Sequence, residues 1–334
     1  MVKNRGSALG KRHINFKNKR YEVLEEKWIG GKKYSLLRRL SNGKRRRFLA
    51  FDRLAGSRGA LRIVQFMPNT RKSWQRTEVL HRLSQRNYEL PQLIEFHRLK
   101  GEIVSVESWI EGKDLRWWIR KMRNSERTRL GAPESIRLFR QLAHALNHLH
   151  RRCGVIHADI KPANIIVNNR SRRFSLIDFG SSWGMERSNT RKAGDGRSAI
   201  YSAPEVLLNR PGVNFRADYF SLAAVCYETL TLEPPYDGMG SRAALPKYEK
   251  QRDSLYVPPS ELSRERKILS RDIWQAIDRL MQSSLSLEPS SRPLNGIDWL
   301  EQWDSVAGLI KPQTKKPKRF SIKSKLVSWF FEKP

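Results

Sequence analysis

Cysteine is scarce in this chain: two residues, Cys153 and Cys226, in 334. Two thiols make no disulfide framework, and a reducing compartment is the expectation. Long apolar runs are missing as well. No stretch reaches the about 18 uninterrupted apolar residues that a spanning helix needs. The N-terminus, MVKNRGSALGKRHINFKNKR, is basic but lacks the apolar stretch of a secretory leader. Zinc-ligand spacing, an aromatic-interleaved RNA motif and internal repeats are all absent, which argues against sequence-specific nucleic-acid recognition and a solenoid. Acid is in short supply: 33 Asp and Glu stand against 65 Lys and Arg, a net charge of +32.

What is present is enough apolar material, 39% of the residues, for one large two-lobed domain with short tails. The charge is partly general and partly concentrated. Arg38, Arg39, Lys44, Arg45, Arg46 and Arg47 surround an expected hairpin turn at Asn42-Gly43. Lys311, Lys315, Lys316, Lys318, Arg319 and Lys323 crowd the C-terminal stretch. Such fields attract polyanions (nucleic acid, anionic membrane, acidic proteins), and they also describe a merely solvated surface. The stretch ends in Leu326-Val327-Ser328-Trp329-Phe330-Phe331, read either as a segment docking on the domain or as an anchor at a membrane surface or a partner.

The densest chemistry lies in the middle. His157-Ala158-Asp159-Ile160-Lys161-Pro162-Ala163-Asn164 is followed by Asp178-Phe179-Gly180. The spacing H-x-D-x-K-x-x-N puts an acid, a lysine and an amide together, with a second acid behind them. Ala203-Pro204-Glu205, then Asp218 in RADYFSLAAVCYETLT and Arg292 in EPSSRP, continue the series in order. Taken jointly, the chain resembles the eukaryotic-type Ser/Thr protein kinases over roughly residues 21–304.

The resemblance implies an α+β, bilobal fold with a small β-rich lobe carrying one main helix and a large helical lobe. The expected organisation is a disordered basic arm at 1–20, a small lobe at 21–109, a hinge at 110–114 around Ile110-Glu111-Gly112, a large lobe at 115–304, and a basic and apolar tail at 305–334. A helix at 73–84 follows from apolar residues at helical spacing, with strands expected at 92–98 and 102–109 and a helix at 134–151 leading into the loop. The resemblance sets the functional expectations as well. It also implies ATP and Mg2+, or Mn2+ in its place, as cofactors, a protein substrate, and roles for named residues. Asp159 would orient and deprotonate the attacking hydroxyl, and Lys161 would stabilise the moving phosphoryl charge and favour Ser/Thr over Tyr. Asn164 and Asp178 would hold the metal. Asp218 would tie down the catalytic-loop backbone, and Arg292 would pair with Glu205. Ser198 matches the residue that contacts the acid and lysine, and His157-Ala158 lacks the arginine that reads an activation-loop phosphate. A cytoplasmic location is expected, with attachment at the membrane periphery as a further expectation. The substrate is expected to be acidic, if the surface charge selects it.

The departures gather in the small lobe. The V-A-x-K lysine of the third strand finds its best match in Leu49-Ala50-Phe51-Asp52, which puts Asp52 at the lysine and Arg76 at the helix glutamate. A shift of one residue would put Phe51 or Arg53 there instead. The two reversed charges suggest an Asp52–Arg76 pair. Gly30 and Gly31, followed by Lys32 and Lys33, resemble an altered glycine-rich phosphate loop in which either lysine replaces the missing cation, or in which both are simply solvated. Glu107 falls at the gatekeeper behind the adenine, with Arg76 as a candidate partner, unless a one-residue hinge insertion puts Val106 there. Three readings follow: a Ser/Thr kinase, a pseudokinase scaffold or nucleotide-binding regulatory module, and a small-molecule kinase, the last disfavoured by the full Glu205, Asp218 and Arg292 set.

Overall fold

The computed structural model describes residues 12–41, 46–83, 90–99, 101–126, 130–168, 173–179, 182–184 and 198–310. The Asn42-Gly43 turn, Gly180 and the C-terminal stretch from 311 lie outside them.

The chain opens with strands β1 (His13–Phe16), β2 (Lys19–Glu22), β3 (Glu25–Ile29), β4 (Lys32–Arg39), β5 (Arg46–Asp52) and β6 (Ala60–Pro68). Helix α1 (Arg71–Leu83) follows, then β7 (Leu93–Leu99) and β8 (Glu102–Ser108). Strands β3 to β8 form one antiparallel sheet in the order β3-β4-β5-β6-β8-β7. Side chains alternate between its faces. One face carries Tyr34, Leu36, Ala50, Val64, Phe66, Val104 and Val106. The sheet curls until the Tyr34 hydroxyl on β4 donates to Glu95 on the edge strand β7, so this face is a closed interior. The other face is covered twice. At the hinge end the β1–β2 hairpin packs Ile14, Phe16 and Tyr21 on Leu49, Phe51 and Leu61, beside Trp109. Beside the hairpin, α1 brings Arg76 to Met67 and Glu107.

Two elements correct the expectation. Residues 13–22 are a paired hairpin rather than part of a disordered arm, because Ile14, Phe16 and Tyr21 alternate with polar residues and find an apolar surface to cover. Strand β6 was not foreseen. Its sequence, ALRIVQFMP, is an almost continuous apolar run without a clear period.

The large lobe continues with β9 (Lys113–Asp114), α2 (Leu115–Arg123), α3 (Ala132–Cys153), β10 (Val155–Ile156), β11 (Ile165–Asn168), β12 (Arg173–Leu176) and β13 (Trp183–Gly184). It closes with α4 (Pro204–Leu207), α5 (Arg216–Thr231), α6 (Arg252–Leu255), α7 (Pro259–Leu262), α8 (Arg271–Ser284) and α9 (Gly296–Leu309). Every residue of α5 from Ala217 to Thr231 is buried, so the helix is the axis around which α3, α7 and α8 pack. Trp299 of α9 stacks on Tyr219 of α5 at 4.1 Å between ring centres. Helix α3 stops where Gly154 adopts φ +61 and its N–H bonds the His150 carbonyl, a left-handed cap that releases the chain just before His157. Helix α9 runs to Leu309, past the boundary expected at 304.

The link between the lobes is set by Gly112. Its φ is +153, and a Cβ there would lie 2.2 Å from the Val167 carbonyl oxygen. Only glycine lets the strand β9 lie against β11 in this way.

Candidate active site

The loop between β10 and β11 is built around a buried carboxylate. Asp218, in the first turn of α5, accepts hydrogen bonds from the His157 and Ala158 backbone amides at 2.8 and 2.9 Å. His150 Nε2 lies 2.8 Å from the same carboxylate. Burial works against its charge, but the hydrogen bond from His150, the two nearby histidines and the Ala158 amide hold its pKa below the ordinary aspartate value. His157 is wholly buried, and burial pushes its pKa below the usual value. The Asp159 amide donates to its Nδ1 at 3.3 Å, so the ring proton sits on Nε2, 3.3 Å from the Ile177 carbonyl. The ring meets Phe179 edge-on at 4.8 Å.

This anchoring holds two non-glycine residues in the left-handed region: Ala158 at φ +60 and Asp178 at φ +65. Such conformations persist only where their surroundings enforce them. Between them lies the reactive cluster. Lys161 Nζ is 3.0 and 2.9 Å from the two oxygens of Asp159. The amide nitrogen of Asn164 donates to the Asp159 carbonyl at 2.8 Å and to its carboxylate at 3.1 Å. Both bonds use nitrogen, so the amide oxygen is the atom left for a cation. The Ile177 amide donates to the Asn164 carbonyl at 2.8 Å, tying the segment that carries Asp178 to the loop. The arrangement offers an oriented carboxylate beside a fixed ammonium group, and two oxygen donors suited to a hard cation. Elsewhere in the lobe, Arg292 grips Glu205 with two bonds of 2.7 and 2.9 Å, both groups buried. Ser198 begins a single 3-10 turn, Ser198–Ile200.

The small lobe overturns three expectations. Leu49-Ala50-Phe51-Asp52 lies on β5, and a further strand, β6, stands between it and α1, so it is not the strand that leads into the helix. Asp52 faces the closed interior with Ala50, where its carboxylate is 3.6 Å from Arg62 Nε and accepts the Leu54 amide at 3.1 Å. Arg76 is on the opposite face, 3.7 Å from Glu107 Oε1. The Asp52–Arg76 pair is therefore replaced by two separate pairs, and the sheet lies between them. The last correction concerns the glycine pair. Gly30 and Gly31 make a tight turn at φ +54 and +79, and a Cβ on Gly30 would lie 2.2 Å from His97 Nε2. A turn wedged against β7 is not an open loop over phosphates. Lys32 is 3.6 Å from Glu95 and Lys33 2.6 Å from Glu26, so both lysines are engaged with carboxylates of their own lobe.

Sequence reasoning missed Arg62 and Gln65, both on β6. The signal was there: an apolar run bounded by Gly59 and Pro68, enriched in β-formers. Gln65 lies on the α1-facing side with Ile63 and Met67 and is buried, and Arg62 lies on the other side with Asp52. Glu107 lies opposite Ile63, next to the end of β8, buried, with the Ser105 hydroxyl 3.3 Å from its Oε1.

Comparison with known proteins supplies the remaining findings. A family model described as protein kinase domain matches residues 50–299. The chain is 30% identical over 219 residues to serine/threonine-protein kinase ULK3 of Homo sapiens, which covers 65% of this chain and 43% of the relative. It is 30% identical over 215 residues to sperm motility kinase 2B of Mus musculus, covering 64% and 40%. Against serine/threonine-protein kinase ULK1 of Homo sapiens the match is 29% over 180 residues, 51% of this chain and 16% of the relative. The chain thus spans less than half the length of these relatives. Among solved structures, the Cydia pomonella granulovirus kinase PK-1 superposes with a TM-score of 0.62 at 20% identity, over 80% of this chain and 93% of that one, which is a likeness of fold.

Proposed function

Because the chain belongs to the protein kinase domain family, we propose that it transfers the γ-phosphoryl group of ATP to Ser or Thr hydroxyls of a protein in a Mg2+-dependent reaction. The observation that carries this reading is the Asp159–Lys161–Asn164 cluster, held on a backbone that Asp218 fixes from below.

In this reading a substrate hydroxyl approaches Asp159, which orients it and accepts its proton as the oxygen attacks. Lys161, already against Asp159, stays beside the reacting centre and offsets the charge of the moving phosphoryl group. Asn164 and Asp178 would hold Mg2+, or Mn2+ in its place, which supplies charge neutralisation at the β- and γ-phosphates. The donor set fits: one amide oxygen and one carboxylate are hard ligands, and such a cation takes its remaining oxygens from phosphate and water. The basic surface would favour acidic substrates and, at a membrane, anionic lipid. A cytoplasmic site of action goes with this reading.

A second reading, a nucleotide-binding regulatory module without transfer, has one specific observation behind it. Among the α1-facing residues of β6, the polar one is neutral Gln65, and Arg76 opposite is occupied by Glu107. No basic side chain of that strand points to the helix side.

The deciding experiment measures nucleotide binding and phosphoryl transfer with Mg2+ and with Mn2+, for the natural protein and for Asp159→Ala. Transfer that drops by about 10²–10⁴ in the variant supports the kinase reading. Binding without transfer selects the regulatory module, and transfer unchanged by the variant removes Asp159 from its role.

A further inference from the structure

Helix α1 is joined to the base of the hinge by a buried charge pair, and we propose that Arg76 and Glu107 are positioning residues that set the place of α1 relative to the hinge and to Asp178. The proposal rests on the kinase reading for its catalytic consequence but not for the contact itself.

Glu107 is the last α1-facing residue of β8, just ahead of the hinge Ile110-Glu111-Gly112. Its side chain is 2% exposed and that of Arg76 8%, with 3.7 Å between them. The Ser105 hydroxyl, two residues back on the same face, lies 3.3 Å from the same carboxylate oxygen. Arg76 also lies 3.8 Å from the Met67 sulfur on β6, so it spans two neighbouring strands. A single charge left in so dry a place is far more costly than the matched pair. Helix α1 cannot swing outward without leaving Glu107 uncompensated beneath it.

The pair is one of several contacts that hold the helix. The helix has no acidic residue in its first turn, and a 13-residue helix gains its stability from packing rather than propensity. Among its described side chains, Trp74 meets Phe96 edge-on and donates to Asn69 Oδ1 at 3.0 Å, His81 meets the same Phe96 ring, and Leu80 is buried. Leu80 belongs to the same continuous buried cluster as Phe179, the neighbour of Asp178. Helix α1 therefore reads the hinge strand through a charge pair, and the same helix leans on the core that seats the Asp178-Phe179 segment. Ile63, across from Glu107, and Gln65 complete the surface on which the pair sits.

The test combines hydrogen exchange of the full chain with steady-state transfer, for Glu107→Gln, Arg76→Met and the double variant. Each single change should raise the exchange of α1 amides by about tenfold or more, while α5 amides keep their natural protection and certify a folded protein. The double variant should exchange less than the product of the two single effects, because its members act as one unit. In transfer assays kcat should fall by about tenfold or more with the KM for nucleotide changed by less than about threefold. Unchanged α1 exchange in both single variants overturns the proposal, and so does a double effect equal to the product. If the natural protein binds nucleotide but transfers nothing, the kinase reading fails, and the exchange cycle still decides the role of the pair.

Discussion

A histidine with no access to water lies at the start of the loop between β10 and β11, and its chemistry can be read from outside. The folded protein holds His157 neutral by burial, below its ordinary pKa of 6.5. In the unfolded chain the same ring takes up a proton below about 6.5. The unfolded state then binds more protons than the folded one, so this residue's contribution to stability is complete above that pH and is lost as pH falls below it. The slope can reach about 1.4 kcal/mol per pH unit. Urea midpoints should decline between about pH 7 and pH 5, and His157→Gln should flatten that decline. A variant with the natural slope would show that the ring titrates alike in both states. The Glu205–Arg292 pair behaves differently. Both partners are buried, so Arg292→Met leaves a carboxylate without its cation and should destabilise the protein by about 3–5 kcal/mol, visible in denaturant unfolding. A loss under about 1 kcal/mol would mean that water reaches Glu205. Asp159, Asn164 and Asp178 stand in short, fixed spacings that the sequence shows, and Asp218 and Arg292 could be placed only through the resemblance, at distances of tens of residues. Arg62 and Gln65 were not legible, because what defines them is which face of a strand they occupy.

At the scale of elements, the long helices could be read from the sequence and the small sheet could not be read completely. Helix α3 shows its apolar spacing over 22 residues, and its ends fall within two residues of the expectation of 134–151. Strand β6 lost to its own composition: a strand buried on both sides has no alternation to display. Missing it shifted every assignment before α1 by one strand, which is how Asp52 came to stand for the lysine and Gly30-Gly31 for the phosphate loop. The glycine turn gives a direct check. Gly30→Ala meets His97 as well as an unfavourable φ and should cost about 1–3 kcal/mol. Gly31→Ala has open space and should cost only about 1–2 kcal/mol. Thermal melts of the two variants, set beside their nucleotide affinities, separate the possibilities. A Gly30→Ala protein that melts normally but binds nucleotide poorly would return the turn to the phosphate site.

For the molecule as a whole, charge is the dominant long-range term. Sixty-five basic residues against 33 acidic ones repel one another in the compact state, and the exposed ion pairs offset little of it. Salt shortens the reach of that repulsion from about 30 Å at 0.01 M to about 8 Å at 0.15 M. The melting temperature should therefore rise as NaCl is raised from about 0.01 to 0.3 M. A fall would show that local pairs such as Arg123–Glu228 outweigh the net charge. The curled sheet carries a last consequence, for how this protein is handled at the bench. The family match begins at residue 50, inside β5, whereas the sheet begins at Glu25 and its cover at His13. A fragment expressed from the family boundary would strip β3 and β4 from the sheet and the hairpin from its face. The cut would leave what remains of β5 as a raw edge, with Phe51 and Leu61 uncovered, a template for aggregation. The unit of inheritance and the unit of folding have different starting points in this chain, and a soluble preparation should be cut to the second.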